Sequence, residues 1–349
     1  MSKDSKSDLG PRKSLILKAI ITDYVQTAEP VGSEILVQRY ELGVKPATVR
    51  NEMAEMAEMG YLYQPHTSAG RIPSDIAYRY YVDRLMQISP ITEDVQSYLN
   101  RTSETGGEFY QVLAETCKLL ARMTQYTSLA TTLRQSDIKI RQVVLSPINA
   151  QRLLLVVVLS NGQVENRLLD APKGLSIEDL AKASLELTKV VDQPLGSIAT
   201  HHDEQAMEQE QPWQQVSRRA MRLIRKITRE LSRGKVLMAG EIHMLEQPEF
   251  QKDIERLEVL LRALDEENLI HNSMENSVSD QVTVVIGEEN TLEPMRFCSL
   301  IASRFYVGTH EAGTIGVLGP TRMRYEQAVS IVDLAARSLS KVLTYLMGN

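Results

Sequence analysis

Pro30, Gly43, Pro46 and Gly60 cut the start of the chain into three helical segments, and this punctuation constrains the fold more than any other feature. Arg12 to Thr27 carries Leu15, Ile16, Ala19, Ile20 and Tyr24 at the three-and-four spacing of one buried helical face. That helix is expected to stop near Glu29-Pro30, because the residue before a proline disfavours helical geometry. Ser33 is placed to cap a second, short helix to about Tyr40, with Ile35 and Leu36 inward. Leu42-Gly43-Val44 makes a tight turn. A third helix starts at Pro46, a residue suited to the first helical position, and ends at Gly60. Its inward stripe is Val49, Met53, Met56 and Ala57, which leaves Thr48, Arg50 and Asn51 outward near its start.

Two helices joined by a short glycine-containing turn make a helix-turn-helix pattern, in which the N-terminal residues of the second helix meet base edges in the major groove. Arg bonds two acceptors on guanine, Asn pairs the donor and acceptor of adenine, and Thr bonds bases or phosphates. The alternative is that these are ordinary solvated positions. After Gly60, Tyr61-Leu62-Tyr63-Gln64 reads as a strand closed by Pro65. The turn His66-Thr67-Ser68-Ala69-Gly70-Arg71 then suits a wing lying against the phosphate backbone, or else a plain surface hairpin. Ser74 is placed to cap a fourth helix containing Ile76, Tyr80, Tyr81 and Leu85.

Charge neither supports nor opposes this reading. The chain carries a net −6, and residues 1–88 hold eleven basic and eleven acidic side chains, so a nucleic-acid claim rests on where particular residues point. Two cysteines, Cys117 and Cys298, argue for a reducing compartment without a disulfide framework. Met1 to Lys13 lacks the apolar core of a secretory signal. The longest apolar run, Leu153 to Leu159, is far short of the roughly 20 residues that span a bilayer. The expected location is therefore the cytoplasm, without a membrane partner. No catalytic, cofactor or metal site is expected. His201-His202-Asp203-Glu204 and Glu241-Ile242-His243 lack ligands one helical turn apart, and neither a phosphate-binding glycine loop nor a Gly-x-Ser-x-Gly nucleophile turn occurs.

From Gln142 the texture turns to β-rich runs at Val143 to Leu145, Arg152 to Leu159 and Val164 to Leu169, with a hairpin signal at Asn161-Gly162. Leu175 to Val191 reads as a helix. Further strands are expected at Val282 to Ile286, Phe297 to Ala302 and Thr314 to Leu318, before a last helix from about Met323 to Met347. Residues 195–275 are then expected to be a polar, helix-rich insertion within one α+β domain. Inside it, Arg218, Arg219, Arg222, Arg225, Lys226, Arg229, Arg233 and Lys235 alternate with apolar residues at helical spacing. That basic face is a second DNA contact, a solvated face or a partner-binding face.

The stretches Glu29-Pro30-Val31-Gly32-Ser33, Ala47 to Met53, Gln64 to Pro73 and Tyr78 to Asp83 resemble, in order and spacing, the signature of the HrcA family of heat-inducible repressors. Ile286-Gly287-Glu288-Glu289-Asn290 and Gly316 to Met323 are similar to later family motifs. Lys45-Pro46-Ala47 departs from the pattern, where a serine is expected; Lys45 adds a candidate phosphate contact. The resemblance implies a multidomain α+β protein: a winged helix-turn-helix over 1–88, a GAF-like domain over 89–194 and 276–349 with a leading helical linker, and a dimerisation domain inserted over 195–275. It implies a homodimer on an inverted-repeat operator in double-stranded DNA, repressing chaperone genes until heat stress, with the chaperonin GroEL as a second partner. Lys45, Thr48, Arg50, Asn51, His66, Thr67, Ser68 and Arg71 are the expected DNA contacts. The competing reading is a winged helix that binds protein without specific DNA recognition.

Overall fold

The computed structural model describes residues 9–66, 70–88, 109–133, 138–160, 162–200, 211–279 and 281–347. Helices α1 (Pro11–Thr27), α2 (Ser33–Arg39) and α3 (Pro46–Glu58) lead to two short antiparallel strands, β1 (Leu62–Tyr63) and β2 (Ile72–Pro73), and then to α4 (Asp75–Tyr80). A single π turn, Tyr81–Leu85, ends α4. The buried stripe of α1 runs through Ile16-Leu17 and Ile20-Ile21, one residue further round than the sequence suggests, so Leu15 is left 49% exposed. On α2 only Leu36 of the expected pair is buried, while Ile35 lies at the rim. Ser33 is the first helical residue of α2 rather than its cap, because Gly32 takes the extended capping position. Ala28 closes α1 in the left-handed region, its N–H bonded to Tyr24 O at 2.9 Å, just ahead of Pro30.

Beyond the π turn come α5 (Phe109–Thr124) and β3 (Thr127–Thr132). The chain then builds a second compact unit over Thr132–Lys235. It contains β4 (Ile140–Asn149), β5 (Arg152–Leu159) and β6 (Val164–Asp170) as an antiparallel meander, followed by α6 (Ile177–Leu187), α7 (Leu195–Ala199) and α8 (Pro212–Arg233). Alternation along β5 buries Leu153, Leu155, Val157 and Leu159 on one face, against Val216, Ala220, Ile224, Ile227 and Leu231 of α8. Ser176 and Asp179 form a reciprocal cap at the start of α6.

The chain returns through β7 (Val236–Ala239), the helices α9 (Ile242–Leu245), α10 (Pro248–Lys252), α11 (Ile254–Asp265) and α12 (Glu267–Ser277), then β8 (Thr283–Ile286), β9 (Cys298–Val307), β10 (His310–Pro320) and α13 (Tyr325–Met347). These strands and β3 make one sheet in the order β7-β3-β10-β9-β8. Residues 1–131 and 236–349 form one unit, in which α1 to α4, α5 and α13 share a single apolar core with the sheet. A second core joins the sheet to α10, α11 and α12.

The boundary of the insertion therefore differs from the expected 195–275. Strands β4 to β6 belong with α6 to α8, while β7 and the helices after it belong with the five-stranded sheet. The cause lies in β3 and β7, both absent from the sequence reading. Thr127-Ser128-Leu129-Ala130-Thr131-Thr132 is buried at every position and so shows no alternation, and Val236-Leu237-Met238-Ala239 is too short to stand out from the helix before it.

Candidate nucleic-acid interface

The turn between α2 and α3 is closed by the Leu42 N–H on Tyr40 O at 2.8 Å, with Gly43 at φ +65°. Lys45 occupies the capping position of α3 without a side-chain cap, and Pro46 takes the first helical place, where no amide partner is needed. Val49, Met53 and Met56 are buried, at 4% exposure or less, and this fixes the rotation of the helix. Lys45, Arg50 and Asn51 are consequently exposed, and Thr48 is half-buried. Among the described residues Arg50 makes no ion pair, so its guanidinium is available to an outside acceptor.

Ionic contacts hold this helix, and sequence reasoning missed them. Lys13 Nζ lies 2.8 Å from both Glu52 and Glu55, and Arg12 lies 3.6 Å from Glu52. Hydrogen bonding to Lys13 holds the Glu52 carboxyl below its ordinary range, and the same bonds raise Lys13. Arg39 donates to the buried Asp23 carboxylate at 2.6 Å, tying α2 to α1, and that bond raises the Arg39 pKa. The available signal was the spacing of Glu52 and Glu55, which puts two carboxylates on one face of α3 opposite the basic start of α1.

The hairpin is pinned at its base. Val31 and Arg71 exchange both backbone hydrogen bonds at 2.9 Å, which adds a third short segment beside β1 and β2. A Cβ on Gly70 would sit 2.3 Å from the Val31 carbonyl oxygen, so this crossing admits only glycine. His66 is exposed and Arg71 half-buried. Thr67 and Ser68 lie outside the described residues. Thus Lys45, Thr48, Arg50 and Asn51 gather at the start of α3, while His66 and Arg71 belong to the hairpin.

Elsewhere, His243 pairs with Glu246 at 3.1 Å, and His201 and His202 fall outside the described residues. Among the described residues no three His, Cys, Asp or Glu side chains converge as metal ligands, and no helix is long and apolar enough to cross a membrane.

The family model for the HrcA protein C terminal domain matches residues 110–329. The heat-inducible transcription repressor HrcA of Moorella thermoacetica is 40% identical over 343 residues, spanning 96% of this chain and 98% of that protein. The repressor of the same name from Geobacter sulfurreducens is 37% identical over 340 residues, spanning 97% and 99%. A crystal structure described as a hypothetical protein at 2.2 Å resolution superposes with a TM-score of 0.65 and 20% identity, covering 97% of this chain and 100% of the other; the two share a fold. With one family model across most of the C-terminal part and named relatives along nearly the whole length, the chain belongs to the HrcA family of heat-inducible transcription repressors.

Proposed function

We propose that α1 to α4 with β1 and β2 form a winged helix-turn-helix whose α3 enters the major groove of an inverted-repeat operator. The observation that carries this reading is the pair Arg50 and Asn51, exposed on the N-terminal half of a helix whose rotation is fixed by Val49, Met53 and Met56. Arg50 and Asn51 read base edges and Thr48 a base or phosphate. Lys45, His66, Thr67, Ser68 and Arg71 hold the duplex by its backbone.

The five-stranded sheet with its two helical layers serves as the GAF-like domain, and residues 132–235, rather than 195–275, serve as the dimerisation domain. Its meander is packed by α8 on one face and carries Val144, Leu154, Val156, Val158, Val164 and Leu168 on the other, with Val164 and Leu168 each 54% exposed. An apolar sheet face of this kind suits a second copy of the chain. The family resemblance adds GroEL, which would raise the fraction of folded dimer and, when heat diverts it to other clients, release repression. Selection of duplexes from a randomised pool, followed by a salt titration, tests the central claim. Recovery of an inverted repeat bound less tightly as salt rises is expected. Capture of protein with no enrichment of any duplex would instead favour the protein-interaction reading.

A further inference from the structure

Two motifs without an assigned role meet in the fold. Tyr78-Arg79-Tyr80-Tyr81 spans the end of α4, and Ile286-Gly287-Glu288-Glu289-Asn290 follows β8. Arg79 donates Nε to one Glu289 oxygen at 2.8 Å and Nη2 to the other at 2.5 Å, a forked pairing that fixes both groups in one plane. The same Nη2 reaches the Val284 carbonyl on β8, an edge strand, and Nη1 reaches Asp83 at 3.1 Å. One turn earlier, Asp75 accepts the Glu288 N–H at 3.0 Å. The approach is so close that a Cβ on Gly287, itself at φ +52°, would lie 1.8 Å from the Asp75 carboxylate.

The receiving loop is closed by its own hydrogen bonds. Buried Asn290 donates to the carbonyls of Gly287, Met295 and Cys298 at 2.9 to 3.1 Å, and Glu289 also accepts the Ile286 N–H at 2.9 Å. The other end of α4 is tied to the reading helix. Ser74 Oγ donates to Gly60 O at 2.7 Å, and the Tyr61 N–H bonds Met56 O, on α3, at 2.9 Å. A lone surface ion pair contributes little and needs no matched glycine or edge carbonyl. A forked contact between two internally hydrogen-bonded elements restricts orientation instead.

We propose that Arg79 and Asp75 are positioning residues for DNA reading, which with Glu289 and Gly287 lock α4, and through Ser74 the helix α3, to the edge of the five-stranded sheet. The proposal rests on the DNA reading above, because two recognition helices span an inverted repeat only if each is held at a fixed place on its own protomer. It also gives the two motifs a joint purpose: one presents the reading head, the other seats it.

Two measurements on the full-length chain test it. Nitroxide labels at Glu58→Cys on α3 and Lys341→Cys on α13, diluted into unlabelled protein, report the distance within one protomer; Cys117 and Cys298 are buried. One narrow distribution is expected, broadened at least twofold by Arg79→Ala and by Glu289→Gln, the second of which keeps the side-chain shape should the first fail to fold. An unbroadened distribution in Glu289→Gln overturns the lock whether or not DNA binds. In parallel, a pool-selected duplex is used whole and cut to one half. The variants are expected to bind the whole duplex at least tenfold more weakly and the half within twofold. Equal losses on both, or none, overturn the positioning role. A parent protein that selects no duplex sinks the DNA reading and this role together, while the distances still judge the lock.

Discussion

Arg50 and Asn51 owe their orientation to neighbours that face the other way. Val49 and Met53 are buried, so a change at 50 or 51 leaves the core intact and alters only what the helix presents. Arg50→Ala and Asn51→Ala are each expected to lose base discrimination at one position per half-site, at about 1–3 kcal/mol per contact, with unchanged thermal unfolding. Competition between matched and single-substituted duplexes checks this; unaltered preference in both variants would remove α3 from the reading role. Glu52 carries a different consequence. Its folded pKa lies below the ordinary value of 4.5, chiefly through the Lys13 hydrogen bond. The carboxylate thus binds fewer protons folded than unfolded, so its stabilisation is fully present above pH 4.5 and fades as pH falls through the lowered value. Glu52→Gln should unfold more easily than the parent at pH 7, with the gap closing in acid. A gap constant down to pH 3 would assign the effect to packing. That Arg50 and Asn51 face outward was legible from the helical period alone. The Lys13 seam was not, because it joins residues far apart in sequence whose pairing depends on how α1 crosses α3.

At the scale of elements, the hairpin shows how one residue controls a whole feature. Gly70→Ala puts a Cβ into the Val31 carbonyl, so the Val31–Arg71 bridge must open, at a cost of about 1–3 kcal/mol for the amides it strands. Faster hydrogen exchange at Val31 and Arg71, with α3 unaffected, is the expected reading; unchanged protection would show that the backbone yields without breaking the pair. Arg71→Ala leaves that bridge in place. It should weaken matched and mismatched duplexes alike and shallow the salt slope by about one phosphate contact. Elements with strong periodicity or clear punctuation, such as α1, α3, β5 and α13, were readable in the sequence to within a few residues. Strand β3 was hidden because its hydroxyl residues are buried on both faces, where Ser128 bonds the Cys117 carbonyl at 2.8 Å and periodicity has nothing to report. The exposed Leu15 and Ile35 have a related cause: an apolar pattern marks a face, while packing chooses its centre.

For the whole molecule, the two hidden strands decide where the insertion begins and ends. Thr131 and Val236 face each other as partners in the sheet, and the Thr132 N–H bonds Lys235 O at 3.0 Å, so the chain leaves and returns on adjacent strands. Replacing residues 133–234 with a two-residue Asn-Gly turn should therefore close β3 and β7 into an ordinary hairpin and leave the larger unit folded. A cut over 195–275 behaves differently. It removes α8, whose Val216, Ala220, Ile224, Ile227 and Leu231 complete the core under β4 to β6, and it strips β7 from β3. That variant is expected to aggregate, because a meander without its helix exposes Leu153, Leu155 and Val157 to solvent. If residues 132–235 also carry the dimer contact, the 133–234 deletion should sediment as a monomer. It should bind a half-site duplex within a few-fold of the parent and lose the gain that the parent draws from a second half-site, since that gain depends on linking two reading heads. A deletion variant that is folded by circular dichroism yet still sediments as a stable dimer would move the dimer contact into residues 1–131 or 236–349. A folded monomer that keeps full affinity for the whole duplex would show instead that one reading head is enough.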